Sequence, residues 1–308
     1  MPIREDVALS QISTFGIGGP ARRYSRVSTP RQLVAAVLEA KKNLQYYLLV
    51  AGGSNVVFAD LGFAGLVIQY LRSRGGVEVS GEIIQCEAGV SLGRLITTAI
   101  KNDLGGLEAM SGIPGTVGGA VVGNAGAYGQ AISDHLLEVT IFDGKIERRL
   151  TKAECQFAYR ESIFKTPRAK HWLVLGSRFK LTTADSKVLT QHARQIIATR
   201  QKKYQPGLRC PGSFFKNVLV ADVSQRALQL IDPAKIIDGK IPAGYLLETI
   251  GAKGLKRGRI KIADFHANLL INEGGATATE VKKVARLLKA RVFKKFGIKL
   301  QEEVRYLP

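Results

Sequence analysis

The feature that most constrains this chain is a glycine-rich stretch that runs from residue 105 to residue 129. Charged residues are few here, yet Ile113, Val117, Val121 and Val122 are apolar side chains that favour burial. A flexible linker would not carry them, so we expect an ordered loop within a folded domain. The backbone N–H groups of such a loop can approach an anion closely, which would suit the pyrophosphate of a dinucleotide. A buried glycine-rich turn that binds nothing is the alternative.

The common nucleotide-binding signatures are missing from the sequence. There is no strand followed by GxGxxG and a helix, because the glycine cluster at 16–19 is too short, and GxxxxGK[ST] does not occur. A bound nucleotide would therefore be held by a fold other than a Rossmann or P-loop domain. Residues 52–55 (Gly-Gly-Ser-Asn) follow a short apolar strand and form a second candidate cradle, although such a cluster is more often an ordinary turn.

The order of helix and strand signals predicts an α+β chain rather than a regular βαβ array. Its 308 residues, 45% of them hydrophobic, are enough for two or three domains. Helices are predicted after Thr29-Pro30, from Ser91, over 187–203, and between the Thr277–Glu280 capping box and Gly297. Strands are predicted at 46–50, 65–68, 77–79, 83–86, 137–142 and 300–307.

The charge balance is unusually basic, with 45 Lys and Arg against 25 Asp and Glu, a net charge of +20 and a pI near 10.0. Nucleic-acid binding is one explanation. However, the basic residues are spread out, with the densest stretches at 194–203 and 282–295, and aromatic residues do not interleave with them. Electrostatic attraction of a diphosphate substrate and a phosphorylated cofactor is the explanation that we favour.

Other composition features indicate a cytoplasmic protein without a metal site or a membrane segment. Cys86, Cys155 and Cys210 are widely spaced, odd in number and outside any CxxC pattern, so we expect reduced thiols. No apolar run reaches membrane-spanning length, and residues 1–6 do not resemble a signal peptide. No His, Cys, Asp and Glu spacing suggests a metal.

Four polar residues are candidates for chemistry, each with an ordinary alternative. Arg160 lies among aromatic residues, where a surface salt bridge would be the simpler explanation. Ser213 follows a glycine but not in a GxSxG elbow, so it is a candidate proton donor and not a hydrolytic nucleophile. Glu303 lies beside a valine in the last predicted strand, where most glutamates are simply exposed, and His266 precedes an apolar strand.

Taken together and in this order, seven segments resemble the UDP-N-acetylenolpyruvoylglucosamine reductase (MurB) family. They span almost the entire chain, and the segments at 105–129 and 212–217 are the most specific. The matching segments are Ser13–Gly19, Ala51–Asn55, 105–129, Tyr159–Lys165, Gly212–Asn217, His266–Asn272 and Glu303–Arg305. The short distance between Arg160 and Ser213 resembles the branch of the family that lacks an extra substrate-covering loop.

The resemblance implies a two-subdomain FAD-binding module of the vanillyl-alcohol-oxidase (PCMH) type, followed by an α+β substrate-binding domain. We expect the module at 1–186, with subdomains at roughly 1–70 and 71–186, and the substrate domain at 187–308. It also implies non-covalent FAD and a ping-pong reaction. NADPH would reduce the flavin and leave, and a UDP-sugar enolpyruvyl ether would then be reduced in the same site.

The resemblance also carries residue roles. Ser213 matches the serine that protonates the substrate carbon next to the one that receives hydride, and Arg160 and Glu303 match the pair that stabilises the enolate-like intermediate. The expected FAD contacts are Gly52, Gly53, Ser54, Asn55, Gly115, Thr116, Val117, Gly118 and Gly119. The expected substrate contacts are Tyr128, Lys216, Asn217 and His266.

Two positions depart from the family pattern. Val218 stands where many members have proline, and Tyr204 stands near Pro206 where a basic residue is common. Contacts to the diphosphate are therefore expected to shift to Lys202 or Lys203. Neither departure falls on Arg160, Ser213 or Glu303, so an active enzyme is expected.

Three other functions are also compatible with the sequence. A flavin oxidase that passes electrons to oxygen would often tether its flavin through His or Cys, and the cradle segments contain neither. A basic nucleic-acid-binding protein on a degenerate flavin fold would bind RNA or DNA in a salt-sensitive way. A flavin-binding protein without catalysis is disfavoured by the candidate catalytic residues.

Overall fold

The structure is a computed structural model that describes residues 2–308. The chain divides into two compact units, each assembled from separate segments. The first unit comprises the residues up to Asp6 together with Arg22–Gly52 and Ala64–Lys202, and the second comprises Val7–Ala21, Gly53–Phe63 and Lys203–Pro308.

Within the described residues there are seven α-helices and twenty strands, some only two residues long. The helices are α1 (Pro30–Lys42), α2 (Leu92–Lys101), α3 (Val117–Gly123), α4 (Ser186–Lys203), α5 (Gln225–Leu228), α6 (Ala243–Thr249) and α7 (Ala278–Phe296). The strands are β1 (Arg4–Ala8), β2 (Pro20–Val27), β3 (Tyr47–Val50), β4 (Val56–Phe58), β5 (Phe63–Tyr70), β6 (Val77–Ser80), β7 (Ile83–Glu87), β8 (Leu104–Gly105), β9 (Gly126–Ala127), β10 (Gln130–Ala131), β11 (Leu136–Phe142), β12 (Glu147–Thr151), β13 (Leu173–Lys180), β14 (Thr182–Thr183), β15 (Val218–Leu219), β16 (Lys240–Ile241), β17 (Lys256–Arg257), β18 (Ile260–Ile262), β19 (Leu270–Asn272) and β20 (Arg305–Leu307).

Two sheets form the frame of the first unit. One has the strand order β1-β2-β5-β3 and pairs β3 with β5 in parallel. The other has the order β12-β11-β13-β7-β6, and all of its neighbours are antiparallel. The predicted hairpin at 77–79 and 83–86 is confirmed as β6 and β7, with Val79 opposite Ile84.

Helices α1 and α2 complete the core of the first unit, and their start signals are confirmed. The Thr29 side chain accepts a hydrogen bond from the Gln32 amide, and Ser91 caps α2 in the same way. Each helix buries one apolar face, as the spacing predicts. The core residues on these helices are Leu33, Ala36, Val37, Ala40, Leu92, Leu95, Ile96 and Ala99.

The second unit has a core of its own, built around the long helix α7 and the three-stranded antiparallel sheet β17-β18-β19. The predicted capping box is confirmed, since Thr277 accepts from the Glu280 amide and the Glu280 carboxylate accepts from the Thr277 amide. Gly297 ends the helix with φ of 70°. The buried residues of α7 are Ala278, Val281, Val284, Ala285, Leu288, Val292 and Phe296.

An acidic side chain from a distant segment also caps α7. Both oxygens of Asp60 accept hydrogen bonds from the helix start: 2.6 Å from the Ala278 amide, and 3.1 Å from the amide and 2.8 Å from the hydroxyl of Thr279. Burial alone would raise the pKa of Asp60, but these hydrogen bonds outweigh it and the pKa lies below the ordinary value. The carboxylate therefore stabilises the helix start while it is ionised.

Two sequence predictions were wrong in extent. The glycine-rich stretch is not a loop throughout, because Val117–Gly123 forms α3, which Thr116 caps by accepting from the Gly119 amide. Glycine allows this helix to lie very close to Ala88: a Cβ at Gly118 would stand 2.8 Å from the Cβ of that residue.

The last strand is shorter than the predicted 300–307. Only Arg305–Leu307 is a strand, and it runs parallel to β4.

Two predictions made from composition concerned reduced cysteines and membrane-spanning segments. Cys86, Cys155 and Cys210 are free thiols, and burial raises the pKa of Cys86 and of Cys155 to about 12, which makes both unreactive at neutral pH. No helix formed by residues 2–308 has the length and apolar character needed to span a bilayer.

Candidate active site

Ser213 lies in the second unit on a segment that is fixed by buried neighbours. Phe214 and Phe215 have no exposed surface and pack edge to face, with ring centroids 5.0 Å apart. The buried Asn268 bonds this segment three times: its carbonyl accepts from the Phe214 amide, and its side-chain amide exchanges two 2.9 Å hydrogen bonds with the backbone of Phe215. The position of Ser213 is therefore set by backbone contacts and does not depend on its own side chain.

The backbone of Glu303 is joined directly to this segment. Its amide donates a 2.8 Å hydrogen bond to the Phe214 carbonyl, and Phe215 forms an antiparallel bridge with Glu302. On the other side, the Asn55 side chain donates to the Glu303 carbonyl at 3.2 Å. The structure thus brings Ser213, Glu303 and Asn55 together, although they are far apart in the sequence.

Tyr204 is a site residue that the sequence did not reveal. Its phenolic oxygen lies 2.7 Å from the Ser213 hydroxyl oxygen, a hydrogen bond in which either atom could be the donor. Its ring meets the His266 ring edge to face, with centroids 6.0 Å apart and an interplanar angle of 86°. From the sequence, Tyr204 stood out only as a departure from a basic residue, and no spacing rule connects it with Ser213.

His266 is half-buried, and its surroundings disfavour the protonated form. Burial lowers the pKa of this imidazole, and the positive charge of Lys203 lowers it further, while Glu248 acts in the opposite direction. A neutral imidazole can donate one hydrogen bond and accept another. His266 is therefore suited to contact polar substrate groups.

Asn217 and Lys216 continue from the Ser213 segment. The Asn217 side-chain oxygen accepts from the Ala243 amide at 3.2 Å and so caps the start of α6, while the Lys216 amide donates to the Gln301 carbonyl at 2.9 Å. Val218, which replaces a common proline, pairs with Ile241 in a two-stranded antiparallel ladder. Asn217 thus has a structural role whether or not it contacts a substrate.

Arg160 belongs to the first unit and lies in a tight turn. Its φ is 56°, a bridge joins Ala158 to Glu161 on either side, and its carbonyl accepts from the Lys165 side chain. Two hydrogen bonds tie this turn to α3, from Asn124 to the Ala158 carbonyl at 2.9 Å and from Ser162 to the Val122 carbonyl at 2.7 Å. The glycine-rich helix therefore positions the turn that carries Arg160.

Tyr128 lies in a short turn between β9 and β10, also in the first unit. Its φ is 51°, and 49% of its surface is exposed. A large exposed aromatic side chain held by a strained backbone conformation is available to contact a ligand.

The glycines of the first unit form a close backbone approach that suits FAD. A Cβ at Gly52 would stand 3.3 Å from the Cα of Gly115, which itself has φ of 118°. The buried side-chain oxygen of Asn124, near the end of the same stretch, has no hydrogen-bond partner among residues 2–308. A site whose walls are bare backbone fits a diphosphate-bearing cofactor.

Not every amide of this stretch is directed at a ligand. The Val117 amide donates to the Val90 carbonyl, the Gly118 amide to the Ala88 carbonyl, both at 2.8 Å, and the Gly119 amide to the Thr116 hydroxyl. These three amides are therefore used to hold the start of α3 in place. Backbone contacts to a phosphate would have to come from other positions, such as Gly115 or Thr116.

The second glycine cluster meets a requirement of the fold. Gly53 has φ of 65°, and a Cβ there would lie only 1.9 Å from the Ile12 carbonyl oxygen, while its own carbonyl accepts from the Thr14 amide at 3.1 Å. Only glycine is tolerated at this position, whether or not a ligand binds. One of the boundaries between the two units along the chain falls between Gly52 and Gly53.

Two family matches define the class of protein, a flavin-dependent oxidoreductase with an FAD-binding domain. Residues 21–148 match the family described as FAD binding domain. Residues 201–307 match the family described as UDP-N-acetylenolpyruvoylglucosamine reductase, C-terminal domain.

Full-length relatives identify the family. The UDP-N-acetylenolpyruvoylglucosamine reductase of Solibacter usitatus is 38% identical over 307 residues, covering 100% of this chain and 97% of the relative. That of Syntrophobacter fumaroxidans is 34% identical, covering 97% and 82%. The crystal structure of the reductase (MurB) from Thermus caldophilus is 29% identical with a TM-score of 0.77, and all of both chains is covered. The chain belongs to the UDP-N-acetylenolpyruvoylglucosamine reductase family.

Proposed function

We propose that this chain reduces UDP-N-acetylglucosamine enolpyruvate to UDP-N-acetylmuramate, with NADPH as electron donor and non-covalent FAD as cofactor. The reaction supplies a precursor of peptidoglycan and takes place in the cytoplasm. The observation that carries the proposal is the anchoring of Ser213 beside the backbone of Glu303, in a chain that matches the family over its full length.

Two parts of the chain bind the cofactor and the substrate, respectively. Residues 1–186 form the FAD-binding module, with subdomains at roughly 1–70 and 71–186, and residues 187–308 bind the substrate. The matches to an FAD binding domain at 21–148 and to the reductase C-terminal domain at 201–307 support this division.

The FAD site is built from glycine-lined backbone and short polar side chains. When bound, FAD supplies the hydride transfer that links NADPH to the substrate. The residues that we propose for holding it are Gly52, Gly53, Ser54, Asn55, Gly115, Thr116, Val117, Gly118 and Gly119. Backbone contacts to the phosphates come from positions such as Gly115 and Thr116, whereas Val117, Gly118 and Gly119, whose amides are bonded within the fold, form the wall of the site. The close approach of Gly52 to Gly115 is the structural feature that supports this assignment most directly.

Ser213 acts as the proton donor to the substrate carbon that becomes carbanion-like. Its backbone adjoins the fixed Phe214 segment and its hydroxyl is hydrogen-bonded to Tyr204, so little reorganisation is needed when the proton moves. Arg160 and Glu303 stabilise the negative charge that develops on the enolpyruvyl carboxylate and its neighbouring carbon, Arg160 as a fixed positive charge and Glu303 through hydrogen bonding.

The UDP-sugar is held by Tyr128, Lys216, Asn217 and His266, with Lys202 or Lys203 at the diphosphate. All of these side chains are cationic or able to form hydrogen bonds, as an anionic sugar nucleotide requires. The net charge of +20 assists by attracting substrate and NADPH.

An anaerobic absorption experiment tests the proposal. The flavin spectrum of the purified protein should bleach on addition of NADPH and recover on addition of the enolpyruvyl UDP-sugar. UDP-N-acetylglucosamine, which lacks the enolpyruvyl group, is the matched control and should give no recovery. A protein that neither contains nor takes up flavin would contradict the proposal, and rapid recovery in air alone would favour an oxidase.

A further inference from the structure

Tyr204 and Ser213 form a pair of hydroxyl groups in direct contact. Their oxygens are 2.7 Å apart, the usual length of an O–H···O hydrogen bond, and both side chains are half-buried. The two residues lie on different segments of the chain. Tyr204 follows directly after α4, whereas Ser213 precedes the segment that Asn268 and Glu303 fix.

The orientation of the tyrosine ring is set by its surroundings. The His266 ring packs against it edge to face, and His266 in turn lies against α6, where a Cβ at Gly244 would stand 3.4 Å from its Cε1 atom. The phenol is thus held at one end by an aromatic contact and at the other by Ser213. Such a hydrogen bond fixes the rotation of the serine hydroxyl, which is otherwise free.

The proposed chemistry requires a second proton donor, because Ser213 must be reprotonated after each turnover. When Ser213 gives its proton to the substrate carbon, an alkoxide forms, and it must regain a proton before the next turnover. A phenol, with an ordinary pKa near 10, is a much stronger acid than an aliphatic alcohol. Proton transfer from Tyr204 to a Ser213 alkoxide is therefore downhill.

We propose that Tyr204 is the second member of a proton relay that supplies and orients the Ser213 proton. In this step the Ser213 O–H bond breaks and a substrate C–H bond forms, while the Tyr204 O–H bond breaks and the Ser213 O–H bond forms again. Solvent then returns a proton to the phenolate. Tyr204 is a positioning residue, because it acts through Ser213, and the inference rests on the proposed role of Ser213 as proton donor.

Tyr204→Phe is the direct test, since it removes the hydroxyl and keeps the ring against His266. Anaerobic stopped-flow measurement should show flavin reduction by NADPH unchanged and reoxidation by the enolpyruvyl UDP-sugar slowed about ten- to hundredfold, less than the full loss of a general acid because Ser213 remains. Tyr245→Phe, in which a hydroxyl that accepts from the Asp232 amide is removed, is the matched control and should leave both half-reactions unchanged.

The pH profile separates a relay from simple packing. In the wild-type protein, reoxidation should slow at high pH as Tyr204 ionises, and this alkaline limb should vanish in Tyr204→Phe. Replacing Tyr204 with 3-fluorotyrosine, a more acidic phenol, should move the limb to lower pH. An unchanged alkaline limb in Tyr204→Phe, or an equal loss in both half-reactions, would overturn the relay.

A measurement without turnover completes the test. Fluorine NMR of 3-fluorotyrosine at position 204 should give a titration midpoint that moves when Ser213 is replaced by alanine, because the two hydroxyls share a hydrogen bond. An unmoved midpoint would overturn the pairing. If Ser213→Ala abolishes reoxidation but Tyr204→Phe does not slow it, the relay is wrong and the proposed function stands.

Discussion

The amide of Glu303 donates a 2.8 Å hydrogen bond to the carbonyl of Phe214, which joins the C-terminal segment to the residue that follows Ser213. Through this bond the positions of two proposed catalytic residues become interdependent. A shift of either backbone by a fraction of an ångström would move both residues, and catalysis is sensitive to such shifts.

Ser213→Ala should separate the two half-reactions. Flavin reduction by NADPH should persist, whereas reoxidation by the enolpyruvyl UDP-sugar should slow by about 10²- to 10⁴-fold, because a general acid is lost. Rapid-mixing absorbance of the flavin measures both rates. Ser80→Ala, at an exposed position at the end of β6, is the control. An equal loss in both half-reactions would refute the assigned role.

Gly118→Ala should destabilise the protein by about 1–3 kcal/mol through overpacking, because its Cβ would stand 2.8 Å from that of Ala88. The change Gly123→Ala, in the same helix, meets no atom within 4 Å and should be neutral or stabilising by up to about 1 kcal/mol. Urea unfolding with saturating FAD measures both. Ala88→Gly in the Gly118→Ala background should restore part of the lost free energy of unfolding. If the effects of the two changes on that free energy simply add, the proposed contact between residues 88 and 118 is wrong.

Asp60→Ala should lower the free energy of unfolding by about 1 kcal/mol, the usual effect of losing a helix cap. The pKa of Asp60 is lowered in the folded state, so its contribution is present above the unfolded value near 3.9 and is lost as the pH falls through the folded pKa. The difference between wild type and variant should therefore be constant from pH 7 to pH 5 and shrink in stronger acid. Asp222→Ala, at an exposed position, is the control.

His266→Asn should reduce the loss of stability on mild acidification. Burial, with Lys203 and Lys253 acting in the same direction and Glu248 against it, lowers the pKa of His266 in the folded state. The unfolded chain therefore binds more protons once the pH falls through about 6.5, and stability declines until the folded pKa is reached. Thermal unfolding of the variant should change less than that of the wild type between pH 7.5 and 5.5. His171→Asn, at an exposed position, should behave as wild type.

Much of the fold could be predicted because local signals and tertiary structure agree. Thr29, Ser91 and Thr277 are capping residues whose side chains can satisfy a helix start without outside help. The helix α3 could not be predicted, because Gly118, Gly119 and their neighbours have poor intrinsic helix propensity. Its stability depends on close packing against Ala88, which only the folded chain provides.

The residues of the candidate site likewise divide into those that the sequence could predict and those that it could not. Ser213 and Glu303 stand in recognisable segments, so the family pattern predicts roles for them, and the structure places their backbones close together. Tyr204 and Asn268 could not be assigned their contacts, because a hydrogen bond between side chains or to a distant backbone has no periodicity in the sequence. The roles of Ser213, Glu303, Arg160 and the glycine clusters stay predictions.

The interleaved composition of the second unit has a consequence for biosynthesis. Val7–Ala21 and Gly53–Phe63 leave the ribosome long before Lys203–Pro308, which supplies their partners. Asn272 donates hydrogen bonds to the carbonyls of Phe15 and Gly16, and β4 pairs with β20. At ordinary elongation rates these early segments wait roughly 10–50 s until Arg305–Leu307 is synthesised. Nascent chains are therefore exposed to chaperones and proteases until Arg305–Leu307 has been synthesised, and a truncation before Arg305 would remove the strand that pairs with β4.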